Sequence, residues 1–325
     1  MNKTCSINEY GEPYSGDTKY VAECRLLQSI YRVEIGEQIR PYKSREKVYY
    51  FGNYIENGEV SGANFLEEYI FTYAKYRLAF KRPYETINSD RLYNNLLSSQ
   101  PMAFNLFCPL KKMLHENSAA ATLALRAALP DYPIKRITDI DLEYIPDNYM
   151  ELSGDKSAMD AIIRFEDHVG NKGFIAIETK YSENLGTNVA YDTDENGNKV
   201  PRGQSIKAVN MLKCFEPDVE RDIINGKIEL TQIYRNFLLS EMYGHEEGLL
   251  SYSIILAPNR HPSTKRELES LTKGLRDEYK KKVVKLDLEK FVSKLIANSL
   301  PEYKSTFSKF YDRYLNRKKI ESFLE

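Results

Sequence analysis

The chain has 325 residues, is 42% hydrophobic and 29% charged, and carries a net charge of −1. That length buries a core without staples, and the balanced charge does not mark the whole surface as a nucleic-acid coat. No apolar run reaches the roughly 18 residues of a membrane span, and the N-terminus lacks the apolar stretch of a secretory signal, so no membrane association is expected. Cys5, Cys24, Cys108 and Cys214 form no CxxC pair, and His115, His168, His245 and His261 are scattered. This argues for a reducing cytoplasm and against a His/Cys metal centre.

In chain order, the first 17 residues are polar and are expected to be poorly ordered. A helix is predicted over residues 18–35. GEVSGANFLEE (58–68) reads as a turn leading into a helix to about residue 80, with Asn64 as N-cap and Glu67 completing a capping box. Residues 89–114 are helical but interrupted at Pro101 and Pro109, and SAAATLALRAAL (118–129) is helical by propensity. The character then changes. ITDIDLEYI (137–145), AMDAIIRFE (158–166) and GFIAIETKY (173–181) read as strands, with DHVGNKG (167–173) suited to a hairpin loop. Residues 182–203 read as a polar, mobile loop. Helices follow around 204–225 and 229–242, then strands at SYSIILA (251–257) and KVVKLDL (282–288) and further helices to the C-terminus. The pattern is an α/β sandwich with a mixed sheet.

Charge is uneven along this order. Residues 261–325 hold 16 Lys or Arg against 10 Asp or Glu, with local peaks at YKKKVVK (279–285) and RKK (317–319). These runs read first as solvated helix faces and second as a phosphate-contacting patch. YDRY (311–314) is the best placed of the aromatic stretches to stack on bases.

The chemistry concentrates in FIAIETKY (174–181). Alternate strand residues share a face, so Phe174, Ala176, Glu178 and Lys180 point one way and Ile175, Ile177 and Thr179 the other. Asp160 stands near the start of the preceding strand. A hairpin register pairing Asp160 with Glu178 or Lys180 gathers all three side chains on one face, and a one-residue slip separates them. The loop length permits either. If they converge, two carboxylates with waters and phosphate oxygens suit Mg²⁺, and the lysine can orient water or offset developing phosphate charge.

Asp160, 17 intervening residues and then Glu178-Thr179-Lys180 at the end of an apolar strand resembles the signature of the PD-(D/E)XK nuclease superfamily, with Met159 in place of the proline. GANFLE (62–67), NLLSSQPMAFNLFCPL (95–110), AIETKY (176–181) and LLSEM (238–242) are further similar to a bacterial branch of restriction-endonuclease-like proteins. The resemblance implies an α/β restriction-endonuclease-like core, a central mixed sheet flanked by helices, over residues 96–260. Residues 1–95 would form a helical N-terminal extension packed on it, and residues 261–325 a basic C-terminal part of the same domain.

It further implies a divalent metal, Mg²⁺ with Mn²⁺ as a substitute, held by Asp160 and Glu178, with Lys180 positioning the base. Gln100, Asn105 and Glu116 are candidates for an extra polar group from the helix before the first strand. Gln232 and Arg235 are candidates from the helix after the Glu-x-Lys strand, sharing a face at i, i+3. Asp155 is the alternative to Asp160 as metal ligand. The implied partner is nucleic acid, DNA first, with a homodimer needed for a double-strand cut. The competing expectation is a non-catalytic nucleic-acid- or protein-binding module on the same fold.

Overall fold

The computed structural model describes residues 9–185, 189 and 191–323. α1 (Lys19–Glu34) opens the fold, capped by Thr18. Part of the segment expected to be poorly ordered lies outside the described residues, but residues 9–17 are tied down. Gly11 bridges Phe51, and Asp17 pairs with Arg25 at 2.6 Å. A two-stranded ribbon, Tyr42–Ser44 with Lys47–Tyr49, follows and was not anticipated.

α2 spans Glu68–Ala79, and the predicted capping box does not form. Glu67 occupies the cap position, and its carboxylate accepts from Lys309 at 2.8 Å. Asn64 is buried, donating to the Leu92 carbonyl and accepting from Arg313. The local signal was outcompeted by a long-range partner.

α3 (Ser99–Glu116) starts at Ser98, whose hydroxyl accepts from the Gln100 N–H at 3.2 Å. Pro101 falls in its first turn, where the missing N–H has no intrahelical partner to lose. Pro109 lies inside the helix without ending it. α3 is buried along most of its length, so packing on all sides outweighs the proline. α4 (Ser118–Ala128), rich in alanine, is capped by Asn117.

Five strands then build one sheet in sequence order: β1 (Arg136–Tyr144), β2 (Met159–Glu166), β3 (Lys172–Thr179), β4 (Leu250–Ala257) and β5 (Val283–Asp287). β1–β2 and β2–β3 are antiparallel and β3–β4 and β4–β5 are parallel, so the sheet is mixed. Gly173 permits the close packing of β3. A Cβ there would lie 2.6 Å from the Phe165 ring and 2.8 Å from the Leu250 side chain.

Residues 191–201 form a small hairpin (Tyr191–Thr193 with Lys199–Pro201) within the stretch expected to be a plain loop; residues 186–188 and 190 of that stretch lie outside the described residues. α5 (Gly203–Leu212) ends at Lys213 in the left-handed conformation (φ +49°), which breaks the expected 204–225 helix in two. α6 (Gln232–Glu247) leads into β4, α7 (Thr264–Gly274) links β4 to β5, and α8 (Leu288–Asn298) and α9 (Pro301–Tyr314) complete the fold.

β3 explains its own sequence. Ile175 and Ile177 pack into the layer containing α3, α4, α8 and α9, while Phe174 and Ala176 pack into the layer containing α5, α6 and α7. Both faces are covered, hence an unbroken apolar run. Each fully buried Ile or Phe contributes roughly 1.5–3 kcal/mol relative to exposure. Among the described residues no helix is long and apolar enough to cross a membrane.

The C-terminal basic runs are largely neutralised. Lys282 pairs with Glu241 at 2.6 Å, Lys285 with Asp287 at 2.6 Å, Arg317 with Glu23, and Lys319 with Glu34 and Asp312. YDRY is not a stacking surface: Arg313 and Tyr314 are buried in the core.

Candidate active site

The β2–β3 register decides what the sequence left open. Ala161 stands opposite Ile177 and Ile162 opposite Ala176, so one further step places Asp160 across from Glu178. On the other side of β2, Leu142 faces Ala161 and Tyr144 faces Met159, which places Glu143 across from Asp160. Three carboxylate residues from three adjacent strands therefore share one rung.

Glu178 is buried at the C-terminal end of β3 and is held by three donors. Lys180 Nζ lies 2.7 Å from Oε1, Gln232 Nε2 donates to Oε1 at 2.8 Å, and Asn236 Nδ2 donates to Oε2 at 2.7 Å. Gln232 also accepts from Lys180 Nζ at 3.1 Å. Lys180 follows the last residue of β3, and its backbone N–H donates to the Leu256 carbonyl of β4 at 3.0 Å, so the sheet itself aims its side chain. Asp160 accepts from the Thr179 backbone N–H at 2.6 Å and from its hydroxyl at 2.7 Å, both through Oδ2. Glu143 accepts from Gln100 Nε2 at 3.1 Å through Oε1. Asp160 Oδ1 and Glu143 Oε2 accept from no described residue.

Electrostatics follow from this crowding. Burial, then the charges of Glu178 and Glu143, push the Asp160 carboxyl well above the ordinary range, with Lys180 and Thr179 opposing. Burial also raises Glu143 to about 7, reinforced by Glu178 and opposed by the Gln100 hydrogen bond. For Lys180, burial works against the charge, but Glu178 and Asp160 outweigh it and hold the ammonium above its usual value. The centre is thus short of positive charge: one ammonium serves three clustered carboxyl groups. Among the described residues no three acidic, His or Cys side chains are already drawn into a closed metal cage. The donor chemistry nevertheless fits a hard divalent cation, since oxygens with free acceptor capacity and mutual repulsion are what such an ion relieves.

The remaining candidates divide. Gln100 reaches the site through Glu143. Asn105 does not: it is fully buried, accepting from the Leu66 N–H and donating to the Asn64 carbonyl and the Tyr314 hydroxyl. Glu116 sits at the far end of α3 with Lys112 and Tyr303. Gln232 reaches the site. Arg235, on the same helix, turns to Asp155 at 3.4 Å. Asp155 is occupied by Arg235, by Arg202 at 3.6 Å and by the Ser157 N–H at 2.7 Å, and none of its contacts is to Glu178.

Sequence reasoning missed Glu143 and Asn236. Asn236 follows Gln232 by four residues, the helical spacing that would have found it. Glu143 is one of three acids alternating along ITDIDLEYI, and only its strand-end position separates it from Asp139 and Asp141.

No protein of curated function and no solved structure matches the chain significantly. A family model described as the PD-(D/E)XK nuclease superfamily matches residues 15–316, nearly the whole length, over the five-stranded mixed sheet and the Asp…Glu-x-Lys strand pair. The chain belongs to the PD-(D/E)XK nuclease superfamily.

Proposed function

We propose that this protein is a Mg²⁺-dependent nuclease that hydrolyses phosphodiester bonds in DNA, with Asp160, Glu178 and Lys180 as its catalytic residues. The observation that carries the reading is the rung itself: buried carboxylates that repel one another beside a single ammonium, in a chain of a nuclease superfamily. A module used only for binding has no need to hold such groups together.

Asp160 and Glu178 would hold the metal, with Glu143 within reach as a third carboxylate. The bound ion would supply Lewis acidity toward a phosphate oxygen and a lowered pKa for its water. Lys180 keeps its proton and offers its ammonium to the charge that grows on the phosphate. Gln232 fixes both Lys180 and Glu178, so the ammonium and the carboxylate keep their relative position. Asn236 holds the second oxygen of Glu178. A double-strand cut would take two such centres, and therefore a homodimer on the duplex.

The test is cleavage of linear duplex, supercoiled plasmid, single-stranded DNA and RNA with Mg²⁺ or Mn²⁺ against EDTA, alongside calorimetric metal titration. Cutting should require metal and vanish in Glu178→Ala. Lys180→Ala should bind metal as wild type does but lose roughly 100-fold or more in turnover, whereas Asp160→Ala should lose both. Wild-type cutting by Lys180→Ala, or metal binding indifferent to Asp160 and Glu178, would sink the assignment.

A further inference from the structure

We propose that the outer face of α2 is a stacking platform for single-stranded DNA that leads the strand to the carboxylate rung; the proposal rests on the nuclease reading and adds a substrate form to it. YAKYRLAFKRPY (73–84) interleaves four aromatic with four basic residues and contains no acid. Tyr69, Tyr73, Tyr76 and Phe80 recur at helical spacing; Tyr69 and Tyr73 pack partly against the core and carry the ridge outward to Tyr76 and Phe80. Tyr73 and Tyr76 stand with centroids 6.4 Å apart at 28°, and Tyr76 and Phe80 4.9 Å apart at 40°. Tyr76 is 56% exposed and Phe80 69%, although both are rings that folding normally covers. Beside them runs a shallow groove lined by Glu68, Tyr69, Thr72, Tyr73 and Tyr76.

This face is fastened to the active-site half of β1. The Tyr73 hydroxyl lies 3.2 Å from Asp141 Oδ1, and Arg77 Nη2 donates to the carbonyls of Leu142 and Glu143 at 3.1 and 3.3 Å. Just beyond the helix, Arg82 donates to the Ile145 carbonyl at 2.7 Å. The helix that carries the aromatic ridge is therefore anchored to Asp141, Leu142 and Glu143, on the strand that supplies one carboxylate of the rung.

Charge favours a nucleic acid as the occupant. Glu85 pairs with Arg77 and Arg82, at 3.2 and 3.0 Å, and Asp147 also pairs with Arg82, so those two are structural. Lys75 and Lys81 form no ion pair with any described residue. Lys75 lies over the Phe71 ring and Lys81 donates to the Ile87 carbonyl, so both ammonium groups, adjacent in sequence to Tyr76 and Phe80, keep charge that no carboxylate offsets and that phosphates can take up. Among the described residues Glu68 is the one carboxylate that lines the groove, with Asp141 behind Tyr73. Ring faces flanked by cations suit unpaired bases joined by phosphates, since bases in a duplex are already stacked on one another.

The test is fluorescence anisotropy in EDTA, where no metal-dependent cutting occurs, with labelled oligothymidylate and a duplex of equal length. Tyr76→Ala/Phe80→Ala should weaken single-strand binding roughly 10- to 100-fold and leave duplex binding within about 2-fold, while Phe80→Tyr should retain wild-type binding. Failure of the wild type to bind the single strand, equal loss on both substrates, or no loss on either would overturn the proposal. A dimer-to-monomer shift in sedimentation without loss of DNA binding would reassign the face to a second copy of the chain. If the predicted binding difference holds but no substrate is ever cut, the nuclease reading fails and the platform stands. If metal-dependent cutting is found while the double variant binds normally, only the platform fails.

Discussion

Glu143 holds a left-handed backbone conformation (φ +51°) that side-chain-bearing residues seldom adopt, at a cost of order 1 kcal/mol, and buries a carboxyl group next to two others. A residue with both liabilities is a functional candidate. Its acid is raised from the ordinary value to about 7, so the folded state keeps the proton that the unfolded chain gives up. Below the ordinary carboxylate range both states are protonated and nothing is lost. As pH rises toward 7 the fold loses stability, and the loss is then constant. Glu143→Gln stays neutral and can still accept from Gln100. In EDTA it should match wild type near pH 4 and exceed it by about 2 kcal/mol near pH 8 in urea unfolding, while weakening metal affinity. Equal destabilisation at both pH values would assign Glu143 a purely structural role. That Glu178 and Lys180 share a face was legible in the sequence because strand parity is a local property, whereas the place of Asp160 opposite Glu178 waited on the strand register. Glu143 was not legible, because alternating acids look alike until the end of the strand is placed.

At the scale of elements, the N-terminus of α3 and the segment after β3 are locked together by Glu183. Its carboxylate accepts from the Ser99 N–H at 2.8 Å and the Ser99 hydroxyl at 3.0 Å, and pairs with Arg91 at 3.2 Å. Burial raises this acid, but Lys180, Ser99 and Arg91 outweigh it and keep it below its ordinary value. The stability it contributes is therefore present at neutral pH and lost as pH falls through the acid range. Glu183→Ala leaves buried donors unpaired and should cost roughly 1–3 kcal/mol at pH 7, with a smaller difference from wild type near pH 3. Because Gln100 follows Ser99, the same change should also weaken metal binding; chemical denaturation and calorimetry would register the two effects separately. A helical region was legible here, but its continuity through Pro101 and Pro109 was not, because packing along the helix outweighs the lost hydrogen bond. The α2 capping box was not reliable: Asn64 found better hydrogen-bond partners on distant elements.

Over the whole molecule, the two ends of the chain meet at Arg313. Only 1% exposed, it donates to Gln28 Oε1 at 3.0 Å and to the Asn64 carbonyl and Oδ1 at 2.8 and 2.6 Å, and it lies over the Tyr31 and Tyr314 rings. Gln28 in turn donates to the hydroxyl of Tyr181, the residue after Lys180. We expect residues 9–95 and 261–323 to unfold with the core as one cooperative unit. Arg313→Ala removes three hydrogen bonds from buried acceptors and should lower stability by roughly 3 kcal/mol or more, shifting a single transition. Two separate transitions, monitored by far-ultraviolet dichroism and tyrosine fluorescence, would refute that unity.

Read alone, the sequence determined the strands of the main sheet and the parity within each: an apolar strand covered on both faces and ending in Glu178 and Lys180, and an acid at the start of its neighbour, together with an Ala-rich helix. These follow from interactions that span only a few residues. The tertiary structure decided the β2–β3 register, the arrival of Glu143 on the same rung, the choice of Asn236 over Arg235 as a partner for Glu178, and the burial of YDRY. Each depends on which distant segment fills the space opposite, because hydrogen bonds and burial are satisfied across the fold rather than along the chain.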